Sequence, residues 1–274
     1  MAKQHSTFRL VLTLVLLAGT AAICIALGNW QLRRAAERET AAKVIKAGRM
    51  AAPIQLTTAT DQSELTPWRR ATAHGTWLND FTVLLDNRNF KGKAGYWVAT
   101  PLLIDPSTHT ALLVLRGWLP RPLMPGATLP PLAGPEGEQT IQGQITSRVP
   151  RLFELWSFSK TSVDALPPHL PGSDKQPPKV QNLALKDLSR TTGLKLLPVV
   201  LEQTATVGPA TPGARPFVQE WPLPVTNSAR NHGYALQWFS FAGIAGIAAL
   251  ILLWRALRRR TKTTPEKSQL ASHG

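Results

Sequence analysis

Two stretches of this chain carry no charged side chain, and they lie near its two ends. The first, between Arg9 and Arg33, is 23 residues long and dense in Leu, Val, Ile and Ala from Leu10 to Leu27. As an α-helix rising about 1.5 Å per residue it measures roughly 34 Å, enough to cross a hydrocarbon core of about 30 Å. The second, between Arg230 and Arg255, is 24 residues long and is built mainly of Phe, Ala, Gly, Ile and Leu from Trp238 to Trp254. Both read as transmembrane helices, which leaves the roughly 200 residues between them to fold as a separate domain. A cleaved signal peptide is the alternative for the first run, with Lys3 and Arg9 as its basic start and Ala26 with Gly28 as a small-x-small cleavage pattern. The run is longer than a typical signal core, which favours a span. Ile23 before Cys24 is not the small residue that a lipoprotein signal requires.

The charges orient the spans. The chain carries 31 Lys and Arg against 16 Asp and Glu, a net charge of +15. Behind the second run stand Arg255, Arg258, Arg259, Arg260, Lys262 and Lys267 with only Glu266 opposing, the excess expected of a cytoplasmic tail. Two spans return the chain to the same side, so Lys3 and Arg9 are cytoplasmic too and the middle section is translocated. Arg33, Arg34 and Arg38 oppose this orientation, but long translocated domains are poorly governed by local charge. Without its tails the chain keeps a net charge of +8 with no run of more than two adjacent basic residues, and no nucleic-acid-binding spacing accompanies it.

Beyond the first span, Gln31 to Lys46 is rich in Ala, Glu, Lys and Arg, and Glu39 is placed to pair with Lys43, which predicts a helical stalk ending near Gly48 and Pro53. From Trp68 the texture changes to short β-branched and aromatic runs separated by turns. Arg70–Leu78, Phe81–Asn87, Tyr96–Ile104, Thr110–Leu119, Thr140–Ser147 and Leu196–Thr206 read as strands of an antiparallel meander curling into a small barrel or sandwich. Leu183 to Thr192 reads as a helix stopped by Gly193. The proline-dense stretches Leu119–Pro135 and Pro167–Pro178 read as loops, and Pro209–Pro224 as an extended lead-in to the second span. The expected organisation is an N-tail over 1–9, a span over 10–32, a stalk over 33–50, a β-rich domain over 51–230, a span over 231–254 and a basic tail over 255–274. The fold class is a membrane protein of α+β type, with two transmembrane helices flanking an antiparallel, barrel-like β domain.

Chemistry-bearing motifs are scarce. Cys24 is the lone cysteine, so neither an internal disulfide nor a zinc site of four thiolates is available, and no C-x-x-C-H is present for covalent haem attachment. There is no G-x-S-x-G, H-E-x-x-H, Walker A or G-x-G-x-x-G. Ser157-Phe158-Ser159-Lys160 matches S-x-x-K, but its Lys160 also begins Lys160-Thr161-Ser162, a faint echo of a K-T-G element, and in penicillin-recognising enzymes those elements lie far apart. Chance explains it better, and a Ser-Lys hydrolase stays as a minor alternative.

His232 has an unusual address, at the outer mouth of the second span in Asn231-His232-Gly233-Tyr234-Ala235-Leu236-Gln237-Trp238-Phe239. One reading is an interfacial belt, in which Tyr and Trp sit among headgroups and the histidine faces water. The other is an axial ligand to a flat, apolar cofactor, with Tyr234 and Trp238 packing on the macrocycle and Arg230, or Arg33 or Arg34, meeting its propionates. Spacing alone favours the belt and leaves both open.

Four blocks then point to a family. Leu27-Gly28-Asn29-Trp30-Gln31-Leu32-Arg33-Arg34 resembles the L-G-x-W-Q-L-x-R block of the surfeit locus protein 1 family. Gly95-Tyr96 with Thr100-Pro101-Leu102 resembles its G-Y-x-V-x-T-P-L strand, and Leu113-Val114-Leu115-Arg116-Gly117-Trp118-Leu119-Pro120 its L-V-x-R-G-W-V-P strand. Asn231-His232, Tyr234-Ala235 and Trp238-Phe239 resemble its closing H-x-x-Y-A-x-x-W-F block.

The resemblance implies a non-catalytic assembly factor for cytochrome c oxidase in the bacterial inner membrane, with its main domain periplasmic. It implies that the protein binds haem a and helps deliver it to oxidase subunit I, with haem a synthase as a further candidate partner beside the lipid bilayer. His232 would be the iron ligand, and Tyr234, Trp238 and Arg230 would complete the cofactor site. Trp30, Gln31, Gly95, Tyr96, Pro101, Arg116, Gly117 and Trp118 would be structural or partner-binding, with Trp118 placed to close the barrel. A scaffold that binds protein partners without a cofactor is the rival reading. Alkaline phosphatase fused after Val225 is expected to be active and fused after Gly274 inactive; the opposite pattern overturns the orientation.

Overall fold

The computed structural model describes residues 2–122, 129–152, 166–172, 176–207 and 217–261. The chain divides into two compact units, one made of Met1–Ala42 with Pro224–Gly274 and the other of Lys43–Leu223.

The first unit is a pair of antiparallel helices, drawn from α1 (Ala2–Met50) and α3 (Ala229–Thr261). Both are long and apolar enough to cross a membrane, by length and composition. Their mutual contact follows a 3.5-residue rhythm. On α1 the covered positions step alternately by four and three through Leu17, Ala21, Cys24, Gly28, Gln31 and Ala35. On α3 they do the same through Asn231, Ala235, Trp238, Ala242, Ala245 and Ala249. That spacing is the seam of a left-handed coiled coil, and its small residues let two backbones approach where lipid offers no hydrophobic drive for association. Gly28 shows how close they come: a Cβ there would stand 2.6 Å from the Phe239 ring.

The second unit begins with the last turns of α1 and continues through β1 (Ile54–Leu56), β2 (Arg70–Trp77), β3 (Val83–Phe90), β4 (Lys93–Asp105), β5 (Thr110–Pro120), β6 (Glu138–Thr146), β7 (Lys179–Val180), α2 (Leu185–Thr192) and β8 (Lys195–Val207). The six sequence-predicted strands and the short helix each appear with ends within about three residues of expectation, and α2 stops at Gly193 in the left-handed conformation with φ 72°.

The strands form one sheet in the order β1-β2-β6-β8-β5-β4-β3-β7, and an additional β2–β4 pairing closes β2, β6, β8, β5 and β4 into a barrel. Closure rests on Thr76 and Trp77 of β2 lying against Leu103 and Leu102 of β4. Gly75 permits it, since a Cβ there would meet the Leu103 carbonyl oxygen at 2.2 Å. The barrel is not a pure antiparallel meander. β5 and β8 run parallel, as do the short pairs β1–β2 and β3–β7. A parallel neighbour needs a long crossover, and the chain between β5 and β8 supplies one that includes β6, β7 and α2.

Two apolar cores follow from the side-chain alternation of the strands. Ala71, Ala73, Trp77, Leu102, Leu112, Val114, Ile141, Ile145 and Leu201 fill the barrel interior. Leu113, Leu115 and Val200, which alternate with them, face outward and are covered by Leu188 of α2 together with Val83, Leu85, Trp97 and Trp118. β5 is therefore buried on both faces along nearly its whole length, which is why it reads as an unbroken apolar run.

Trp118 belongs to the outer core and does not close the barrel; that role falls to the β2–β4 pairing. Its indole Nε1 donates to the Arg88 carbonyl at 2.7 Å and its ring lies 5.2 Å from that of Phe90. Its backbone N–H and carbonyl both bond Val218. Gly95 sits against the indole so closely that a Cβ would be 2.4 Å from the ring, and Gly117 just before it has φ +140°. Trp118→Ala is expected to cost about 3–5 kcal/mol, as full truncation of a buried aromatic does, read as a lowered denaturation midpoint; unchanged stability would contradict this packing.

Candidate functional site

The functional residues expected at the outer mouth of the second span sit at the start of α3, where the helix pair changes from apolar to polar. Asn227 stands just before the helix, its side-chain oxygen accepting from the Ala229 N–H at 3.0 Å, while the Ser228 carbonyl accepts from the N–H groups of Asn231 and His232. Across the seam, Arg38 donates to the Asn227 carbonyl at 3.1 Å. Glu39 Oε1 accepts from the Ser228 hydroxyl at 2.9 Å and lies 2.9 Å from His232 Nε2. One helical turn deeper, the Asn231 amide donates to Gln31 Oε1 at 2.7 Å. Asn231 is buried, and its own Oδ1 has no partner.

His232 presents Nε2 to the Glu39 carboxylate, and Nδ1 is its second ring nitrogen. Metal-ligating histidines are commonly oriented in this way, with one nitrogen on a carboxylate and the other on the metal. The imidazole is about half exposed.

The other three residues expected around the cofactor fall elsewhere on the helix. At about 100° per residue, Arg230, Tyr234 and Trp238 lie roughly 160°, 200° and 240° from His232. They form a strip on the opposite side of α3, continued by Phe241, whose ring meets that of Trp238 edge-on at 6.1 Å. Phe239 instead shares the His232 side. The four residues therefore cannot enclose one planar group against α3. On α1, Trp30 is exposed, Gln31 lies in the seam, and Arg34 pairs with Glu37 at 2.8 Å.

The motif residues of the second unit are buried. Tyr96 lies between Arg121 and Lys179, whose cationic groups stand 5.3 and 5.7 Å from its ring centre. Pro101, within β4, accepts from the Leu78 N–H at 3.0 Å next to the barrel closure. Arg116 is sandwiched between Trp77 and Phe217, with its guanidinium carbon 4.8 and 5.1 Å from their ring centres, and donates to the Leu132 carbonyl. Burial lowers its pKa to about 10. Ser157 and Lys160 lie outside the described residues, as do parts of both proline-dense stretches.

Sequence reasoning passed over several polar groups that the structure brings forward. Glu39 reads as a partner of Lys43 one turn away, yet its carboxylate meets α3. Asn231 reads as a neighbour of His232, yet it is the buried seam contact. Arg88, in no family block, is as deeply buried as Arg116; it stacks on Trp97 at 4.5 Å, donates to the Gln181 carbonyl at 2.9 Å and is likewise lowered to about 10 by burial. Nothing in the polar run Asp86-Asn87-Arg88-Asn89 marks Arg88 in the sequence as a buried residue.

A barrel inserted between two helices with the length and apolarity of membrane spans defines the class as a membrane-anchored β-domain protein. The chain belongs to the SURF1 family, whose sequence model matches residues 18–243, from within α1 to within α3. That family is associated with cytochrome c oxidase assembly. Comparison with curated proteins gives no match.

Glu202 offers a test of the barrel's electrostatics. It is buried in β8, where burial raises its pKa and the bond donated by Gln144 at 2.7 Å partly offsets that. A carboxyl raised in the folded state favours folding when protonated, so this stabilisation is complete below the ordinary pKa of 4.5 and is lost as pH rises through the folded value. Glu202→Gln keeps an acceptor for Gln144 and is expected to raise stability at pH 7 relative to wild type while flattening the loss between pH 4 and 7. Parallel stability curves for the two proteins would contradict the assignment.

Proposed function

We propose that this protein serves cytochrome c oxidase assembly by holding haem a at the mouth of its helix pair, with His232 as an axial iron ligand, for delivery to oxidase subunit I. It acts without catalysing a reaction, in the bacterial inner membrane with the β domain periplasmic, and haem a synthase is the corresponding source of the cofactor. The observation that carries this reading is the His232–Glu39 pair: a half-exposed imidazole with one nitrogen already oriented by a carboxylate. Among the described residues no group of three or more His, Cys, Asp or Glu is placed to hold a metal ion, and a lone imidazole suits an iron that brings its other ligands with it, as a porphyrin does.

The chain's residues divide the work. Glu39 and Ser228 hold the ring orientation, and Phe239, on the same side of α3, offers an apolar surface for a macrocycle. Because Arg230 lies on the far side, propionate pairing falls to arginines of α1, of which Arg38 is already at the mouth on the Asn227 carbonyl. The haem itself supplies the redox-active iron destined for the oxidase. The separation of His232 from the exposed Tyr234 and Phe241 rings favours the second reading, a scaffold that uses those rings to bind oxidase subunits without a cofactor.

Purification of the full chain from cells that make haem a, followed by an absorption spectrum, separates the two. Wild type is expected to show a Soret band, and His232→Ala or His232→Met to lose or shift it while the protein stays inserted and folded. An unchanged spectrum and haem content would remove His232 as ligand, and haem-free wild type would leave the scaffold.

A further inference from the structure

Among the described charged side chains, acids are confined to one end of the helix pair, which also carries Arg33, Arg34, Arg38 and Arg230, and the other end has arginines alone and no described function. Among the described side chains of this unit the acids are Glu37 and Glu39, both at the His232 end. At the other end stand Arg9 on α1 and Arg255, Arg258 and Arg259 on α3. They are at the same height. Gly28 faces Phe239 across the antiparallel seam, and both Arg9 and Arg258 lie 19 residues further along their helices from that contact, about 28 Å at 1.5 Å per residue.

We propose that this end is a binding site for the phosphate of an anionic membrane phospholipid. The proposal rests on the two helices being membrane spans and not on the haem reading. On α3 the three arginines fall within about 100° of one another, on the side of the helix turned away from the seam. Trp254, just before them, is half exposed, and the Arg258 guanidinium carbon lies 3.8 Å from its ring centre. A tryptophan at the end of a span marks headgroup depth, and stacking on it fixes one guanidinium at that depth. Inward along the arginine face the same helix exposes Ile251, Ile247 and Ile244, an apolar track for an acyl chain joined to the bound phosphate. That continuity selects a membrane lipid over a free anion, because a dissolved phosphate has nothing to place on the track. A phosphodiester with an uncharged headgroup keeps its full negative charge opposite the arginines, whereas in a zwitterionic lipid the headgroup cation competes with them.

The test uses the full chain, extracted from bilayers containing equal amounts of phosphatidylglycerol and phosphatidylcholine and examined by native mass spectrometry for retained lipid. Retention is expected to favour phosphatidylglycerol about tenfold and to weaken as salt rises. The variant Arg255→Gln/Arg258→Gln/Arg259→Gln is expected to lose the preference, Arg258→Gln alone to reduce it, and Arg33→Gln/Arg34→Gln at the opposite end to keep it. Equal retention of both lipids by wild type, or a wild-type preference in Arg258→Gln and in the triple variant, overturns the proposal. Should the triple variant not be recovered, Arg258→Gln decides. Displacement of the lipid by inorganic phosphate at matched ionic strength also overturns it, by reducing the site to one for free anions.

Discussion

Close approach of α1 and α3 is the constraint on which the His232 end of the helix pair depends. Inside a bilayer, lipid tails are as apolar as leucine, so two helices associate through packing and interhelical polar bonds and not through exclusion of water. Here a seam of Ala, Gly and Cys brings the backbones together, and Gln31–Asn231 joins them through a buried amide pair. A polar contact in a tight seam has one register in which it is satisfied; a slip by one turn would leave both amides buried and unpaired. Glu39 reaches Ser228 and His232 only in that register, so the geometry at the mouth is a product of the packing below it.

The β domain solves a different problem. It buries two guanidinium groups, Arg88 in the outer core and Arg116 in the barrel, on the faces of Trp97, Trp77 and Phe217, with backbone carbonyls taking N–H groups from each. Aromatic faces and carbonyl oxygens lower the cost of burying each cation where, among the described residues, no carboxylate is in contact, at the expense of a depressed pKa. Arg116-Gly117-Trp118 reads as a motif because each of its residues has such a fixed environment: a sandwich, a positive φ and a ring wedged against Gly95.

Much of this was legible in the sequence because the periodicities are strong. Charge-free runs mark the helices, and β5 announces itself through residues that are apolar on both faces. Strands β1 and β7 were not legible, since three and two residues carry no periodicity. The parallel pairing of β5 with β8 was hidden because it depends on which distant segments meet, and alternation within a strand does not record its neighbour. The helix seam was hidden by its surroundings: Ala and Gly at every 3.5 residues are inconspicuous in a run that is apolar all round. At the site, the family blocks placed His232 and Gln31 near the mouth, but Glu39 lies in a stretch whose composition reads as an ordinary solvated helix. Helical geometry separates His232 from Tyr234 and Trp238, a point that adjacency in sequence obscures.

The place of β8 in the barrel carries a consequence for how the chain is made. β8 lies between β6 and β5, and its pairing joins Thr110 to Lys195. Until residues near 200 have emerged, β5 and β6 each present an unpaired edge, and no local hairpin can substitute. The barrel is therefore sealed by one of the last pieces of the domain to arrive, shortly before the second span begins at Ala229. A nascent chain anchored by its first helix holds two adhesive strand edges open through most of its synthesis, and only the completed domain can conceal them.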